Sequence, residues 1–271
     1  MAIRKKYLLP AILFALLVFA GAANPGQVLT GSSSGNINSG DTAWMFVATA
    51  LVLIMTPGLG FFYGGMANRK NIISTVFQSV IMLGLMSIIW VTFGFSLCFG
   101  DDIGGIIGNP FTFMMFKGVD LKPNPAFSST IPFIIYAMFQ LKFAIITPAL
   151  ITGSFAQRVK FSGYLLFTTL FFVFIYAPVC HMTWHPDGVL FKYGVLDFAG
   201  GTVVHMTAGF AALAGALFLG PRTESERTHE YANVPFVIIG TGLLWFGWFG
   251  FNAGSALGVN AKAANAFATT N

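Results

Sequence analysis

The stretch TAWMFVATALVLIMTPGLGFFYGGMAN, from Thr42 to Asn68, runs 27 residues without one Asp, Glu, Lys or Arg. Coiled as an α-helix it would be about 40 Å long, more than the roughly 30 Å hydrocarbon core of a bilayer. Four more uncharged stretches follow: Asn71 to Gly100, Phe161 to Pro186, Phe198 to Pro221 and Tyr231 to Ala261. Each exceeds the roughly 20 residues that span a membrane as helix. Strand-like alternation is absent from them, and in hydrocarbon the backbone must satisfy its own hydrogen bonds. Helices, rather than a closed barrel, meet that demand. The chain therefore reads as an all-α polytopic membrane protein.

Composition points the same way. Hydrophobic residues make up 56% of the chain and charged residues 8%, against about 25% charged in soluble domains. So few charges do not cover a water-facing surface, which excludes a soluble enzyme. The net charge of +5 reflects loop orientation rather than nucleic-acid binding. Six spanning helices are expected, at about 42–64, 72–99, 130–156, 162–181, 197–219 and 234–257. Arg69 and Lys70 follow the first, Arg158 and Lys160 the third, Arg222 and Arg227 the fifth. If the helices alternate, these pairs share one side, and the positive-inside bias makes that side cytoplasmic.

The N-terminus carries an independent signal. Arg4, Lys5 and Lys6 precede the apolar run Tyr7 to Phe19 and the small residues Ala20-Gly21-Ala22-Ala23. Residues 1–23 read as a signal peptide, with an uncleaved anchor as the alternative. Residues 24–40, rich in Gly, Ser and Asn, form an expected flexible extracytoplasmic tail. The mature N-terminus then lies outside a cell (cytoplasmic) membrane, in agreement with the loop charges. Residues 41–271 form the membrane domain. Cys98 and Cys180 read as free buried thiols, and a disulfide between them has no support in the sequence.

Ionisable residues inside a membrane are functional candidates by default. Asp197 opens the fifth helix, where a carboxylate caps free N–H groups and meets the positive end of the helix dipole. A cap does not exclude a second role, since a fixed anion there also favours nearby cations. His205, two turns in, fits either a hydrogen-bonded core residue or a pore-lining imidazole. Neutral, it offers one donor and one acceptor, which suits a solute such as ammonia or water. Lys142, mid-way along the third helix, must snorkel, reach a wet vestibule or find an acid. Trp184 is either an interfacial anchor or a cation–π wall. Ser255 either bonds the carbonyl one turn back or binds a solute. No carboxylate pair, nucleophile–base pair or metal cluster is visible, so no enzyme activity, metal or cofactor is expected.

Three strings carry a resemblance: Thr56-Pro57-Gly58-Leu59-Gly60-Phe61-Phe62-Tyr63-Gly64-Gly65, Asp197-Phe198-Ala199-Gly200-Gly201-Thr202-Val203-Val204-His205, and Gly247-Trp248-Phe249-Gly250-Phe251-Asn252-Ala253-Gly254-Ser255. In this order and topology they resemble the Amt/Mep/Rh ammonium transporter family, from about Asp41 to the last residue. The resemblance implies eleven helices, built from two inverted five-helix repeats plus one, in a homotrimer with one pore per subunit. This chain would supply the first repeat and helix 6. Trp184, Phe143 and Ser255 match an outer ammonium-recruitment site. Phe143 and Phe251 match two stacked gate rings, His205 the first of a pore-lining histidine pair, and Asp197 a buried acid required for transport.

The implied partners are ammonium or ammonia, the lipid bilayer and, for the full-length protein, a PII-type regulator. Two departures stand out. The sequence reaches only Asn271, where the family continues through a second repeat, so it reads as part of a longer protein. Lys142 sits beside Phe143, where a small or apolar residue is expected. An ammonium sensor using the same fold with an appended signalling domain is the alternative function.

Overall fold

The structure is a computed structural model that describes residues 36–222 and 231–271. The expected signal peptide, residues 24–35 of the expected tail and Arg227 lie outside the described residues. Six apolar helical segments are long enough to cross a membrane: α1 (Ser39–Met66), α2 (Arg69–Phe99), α3 (Phe133–Phe155), α4 (Phe161–Lys192), α5 (Gly201–Leu219) and α6 (Val234–Gly254). A shorter α7 (Ala261–Thr270) follows. The expected ends differ by a few residues, for local reasons. The third helix starts at Phe133 because residues before it pair as a strand. The fourth continues to Trp184, breaks, and resumes as one turn at Val189–Lys192.

Asparagines set several starts. The Asn38 side chain accepts from Asp41 N at 3.0 Å, Asn233 from Phe236 N at 3.0 Å and Asn260 from Ala263 N at 3.0 Å. Each satisfies an N–H that has no partner inside its helix.

The helices alternate in direction. Arg158 Nη1 donates to the Gly220 carbonyl at 2.7 Å, and Arg222 Nη1 to the Ala156 carbonyl at 3.2 Å. Ala232 N donates to Ala67 O and Asn233 N to Gly65 O, both at 3.1 Å. The ends of α1, α3 and α5 thus meet at one basic end of the bundle. At the other end the long loop after α2 folds into two short hairpins. β1 (Asp102–Ile103) pairs antiparallel with β2 (Ile107–Gly108), and β3 (Pro123–Asn124) with β4 (Ser128–Pro132).

Helix α3 is central. Of its most apolar window 78% is buried, against 22% for α5 and α6, so α5 and α6 present most of their apolar surface outward. Leu196, Phe218 and Ile73 are 95%, 91% and 84% exposed, a surface suited to lipid rather than water. The α1–α6 seam is built from small residues. A Cβ on Gly247 would lie 2.1 Å from Met55 Cγ, and one on Gly250 2.6 Å from Leu51 Cβ. Backbones this close gain dispersion contacts that lipid cannot supply.

Three helices carry one wide π turn each: Trp90–Gly94 in α2, Phe172–Tyr176 in α4 and Gly201–Met206 at the start of α5. The first two face each other, with Trp90 and Phe172 ring centroids 6.3 Å apart. The third holds His205.

Candidate functional site: an aromatic cavity above a column of rings

At the hairpin end, α3 turns Tyr136, Gln140 and Phe143 to one face, the spacing that aligns side chains along a helix. They line a cavity of about 300 Å³ together with Phe139, Phe127, Trp184, Asp197 and Ser255. At roughly 30 Å³ per water, that is room for a hydrated small ion.

The walls are fixed by backbone contacts. Trp184 Nε1 donates to the Asp197 carbonyl at 3.0 Å. The Asp197 carboxylate accepts four amides, Gly200 N at 2.5 Å and Gly201 N at 2.8 Å on Oδ1, Thr202 N at 2.8 Å and Val203 N at 2.9 Å on Oδ2. This is the expected cap, displaced: the helix begins at Gly201, not at Asp197. The chain enters it through Gly200, whose φ of +98° favours glycine. Any Cβ there would also meet Val204 Cγ2 at 2.8 Å. The acid is half-buried, and it still lines the cavity.

Ser255 Oγ donates to the Phe251 carbonyl at 2.8 Å. With its hydrogen spent on the backbone, the hydroxyl presents only lone pairs to the cavity and serves there as an acceptor.

Below the cavity the aromatic rings form a column. Trp184 meets Phe143 edge-on, at 5.8 Å and 85°. Phe143 and Phe251, both 1% exposed, lie 4.5 Å apart at 48°. Phe251 reaches His205 at 5.7 Å and 33°, and His205 stacks on Trp248 at 6.1 Å and 21°. The wide turn of α5 sets the imidazole: His205 N donates to the carbonyl five residues back, Gly200 O, at 3.0 Å. His205 is exposed rather than packed inside the described residues.

The three residues expected at the recruitment site thus line one cavity together with Asp197, and Phe251 and His205 follow beneath it. Lys142 does not join them. It is 7% exposed, one position before Phe143, and absent from the cavity lining. Among the described residues no hydrogen bond or ion pair engages its amine. Tyr136, Gln140 and Trp248 were missed by the sequence reading. Cys98 and Cys180 are both free and buried. Among the described residues, no three His, Cys, Asp or Glu are placed to hold a metal ion.

The family model described as Ammonium Transporter Family matches residues 43–271. The chain belongs to the ammonium transporter family. It is 48% identical over 236 residues to a putative ammonium transporter of Methanothermobacter thermautotrophicus, covering 87% of this chain and 57% of that protein. It is also 48% identical over 241 residues to an ammonium transporter of Aquifex aeolicus, covering 88% and 55%. Among solved structures it resembles Candida albicans Mep2, with a TM-score of 0.79, 30% identity and coverage of 89% and 54%. A sensor Amt protein matches with a TM-score of 0.74 at 30% identity, covering 83% and 56%. The chain spans about half the length of these ammonium transporter family proteins.

Proposed function

We propose that the full-length protein carries ammonium across a membrane, taking it up as the ion in the Trp184–Phe143–Ser255–Asp197 cavity and passing it on as ammonia. The observation that carries this reading is the ring column: two phenyl rings 4.5 Å apart close the floor of a polar-rimmed aromatic cup. A bare apolar pore rejects ammonium, because desolvating a charge is expensive. Here the faces of Trp184 and Phe143 offer cation–π contacts worth about 0.5–2 kcal/mol each. The Ser255 oxygen accepts one N–H, and the fixed Asp197 carboxylate makes the cavity favourable to a cation.

The two buried rings in contact leave no passage for a hydration shell. Ammonium can lose a proton and continue as a neutral molecule. Potassium, of similar size and equal charge, has no proton to lose. Below the rings, a neutral His205 provides one donor and one acceptor for the neutral solute. The cavity then faces outside and the basic end of the bundle faces the cytoplasm. The complete protein forms eleven helices and a homotrimer in the cell membrane, and a PII-type regulator acts on it. Its activity is transport rather than catalysis.

The test is uptake of labelled methylammonium by the full-length protein, with potassium as competitor. Selective uptake that is lost or altered in His205→Ala supports the reading. Unchanged uptake and selectivity in that variant would refute the pore assignment.

A further inference from the structure

His181 lies in α4, three residues before Trp184, with none of its surface exposed. Both of its ring nitrogens face acceptors. Nδ1 is 2.9 Å from the carbonyl oxygen of Cys98, at the end of α2. Nε2 is 2.9 Å from Asp102 Oδ1, in β1. Carbonyl and carboxylate oxygens only accept, so the two bonds exist together only when both ring nitrogens carry hydrogen. The geometry calls for an imidazolium.

The surroundings suit that charge. Asp102 also accepts from Gly105 N at 2.7 Å. Its carboxyl is held below the ordinary range, chiefly by the bond from His181 and further by the Gly105 N–H. His185 stacks on His181, centroids 4.3 Å apart at 15°. Its Nδ1 accepts from Asp187 N at 3.0 Å, so that nitrogen holds no hydrogen and the second ring is neutral. One charged and one neutral ring stack without like-charge repulsion. Other titratable groups nearby are the Asp187–Lys192 pair at 3.1 Å, Asp101, held by the Thr112 hydroxyl at 3.0 Å, the buried Cys98 and Cys180 thiols, and the buried Tyr136 and Tyr176 beside those thiols.

We propose that His181 is a positioning residue for the cavity: as an imidazolium it ties the end of α4 to α2 and to the β1–β2 hairpin, and so holds Trp184 over the uptake site. This rests on the transport reading above. With only one ring hydrogen, one of the two bonds would lack its donor and the tie would loosen. On the acid side the depressed carboxyl of Asp102 keeps the pair intact until pH falls through that lowered value. A charge-assisted bond at each nitrogen makes the tie stiff while it lasts.

Nitrogen-15 NMR of the histidine-labelled full-length protein in bilayers tests the charge, with His181 assigned by its loss in His181→Gln. Two N–H nitrogens at neutral pH are expected, and a bare ring nitrogen on His181 overturns the proposal. In methylammonium uptake, His181→Gln should raise the apparent KM about tenfold with the maximal flux within about twofold. Asp102→Asn, whose amide also donates to a neutral imidazole, should keep the KM low. An unmoved KM in His181→Gln, or an Asp102→Asn variant as impaired as His181→Gln, overturns the positioning role.

Trp184 fluorescence, isolated by difference from Trp184→Phe, reads the position without transport. Acrylamide quenching should increase in His181→Gln and stay unchanged in Asp102→Asn, and the reverse pattern overturns the proposal. Where His181→Gln fails to fold, assignment passes to a spectrum of Asp102→Asn, in which the His181 nitrogens must change. Expected quenching in a protein that takes up no methylammonium would refute the transport reading alone.

Discussion

The indole of Trp184 donates to the backbone carbonyl of Asp197 at 3.0 Å, joining the end of α4 to the residue that caps α5. One wall of the cavity and the anion beside it therefore move as a unit. Trp184→Phe keeps an aromatic face and loses this bond, which is worth about 0.5–1.5 kcal/mol. Methylammonium affinity should fall several-fold while the protein stays folded, as read by uptake kinetics alongside size-exclusion profiles.

Asp197→Ala removes the acceptor of four amides at once. A single lost cap costs about 0.5–2 kcal/mol, so the variant should unfold well below the parent temperature. Asp197→Asn keeps one acceptor oxygen and should lie between the two. Thermal unfolding of the purified full-length variants in detergent ranks them, and an Ala variant as stable as the parent would contradict the capping account.

Gly247 and Gly242 offer a matched pair on α6. A Cβ on Gly247 would sit 2.1 Å from Met55 Cγ, whereas nothing lies within 4 Å of one on Gly242. Gly247→Ala should cost about 1–3 kcal/mol through overpacking. Gly242→Ala should be neutral or gain about 0.5–1 kcal/mol from helix propensity. Equal effects in a melting comparison would mean that α1 and α6 do not pack through this seam.

Tyr164 is fully buried, and its hydroxyl donates to Gln78 O at 3.1 Å while meeting Thr152 Oγ1 at 2.9 Å. Tyr164→Phe leaves both partners dry and should cost about 1–3 kcal/mol. Thr152→Val in the same background should recover part of it, because the pair then no longer buries an unmet hydroxyl. A double-mutant cycle on unfolding checks the coupling.

Phe251 is 1% exposed and touches both Phe143 and His205. Phe251→Ala should cost about 3–5 kcal/mol, the range for large-to-small changes in packed sites. It also opens the floor of the cavity, so potassium should begin to compete with methylammonium. Retained discrimination in a folded variant would remove the gate role from this ring.

The six spans were legible because charge is missing from stretches longer than a bilayer needs, as in Thr42 to Asn68. The strings around Asp197 and Phe251 pointed to the candidate site. Helix ends were less legible, since Asn38 and Asn233 cap through side-chain geometry that hydropathy does not register. Tyr136 and Gln140 were overlooked although they lie seven and three positions before Phe143, a spacing that marks one helix face. The bond from His181 to Asp102 joins residues 79 apart in sequence, and no periodicity links a helix to a hairpin so distant. Lys142 stood out by its charge, but which face of α3 it occupies depends on the packing of α1, α2 and α5 around that helix.

A π turn carries an extra residue relative to the helix around it, and this has a consequence for how the chain tolerates change in length. Deleting one residue within Trp90–Gly94 would convert the wide turn to an ordinary one and leave the halves of α2 in nearly their present rotation. The same deletion a few residues earlier would swing everything beyond it by roughly 100° about the axis, turning packed side chains toward lipid. Single-residue gaps among relatives should therefore gather at the three wide turns, making those turns the places where the spans lengthen or shorten over evolutionary time.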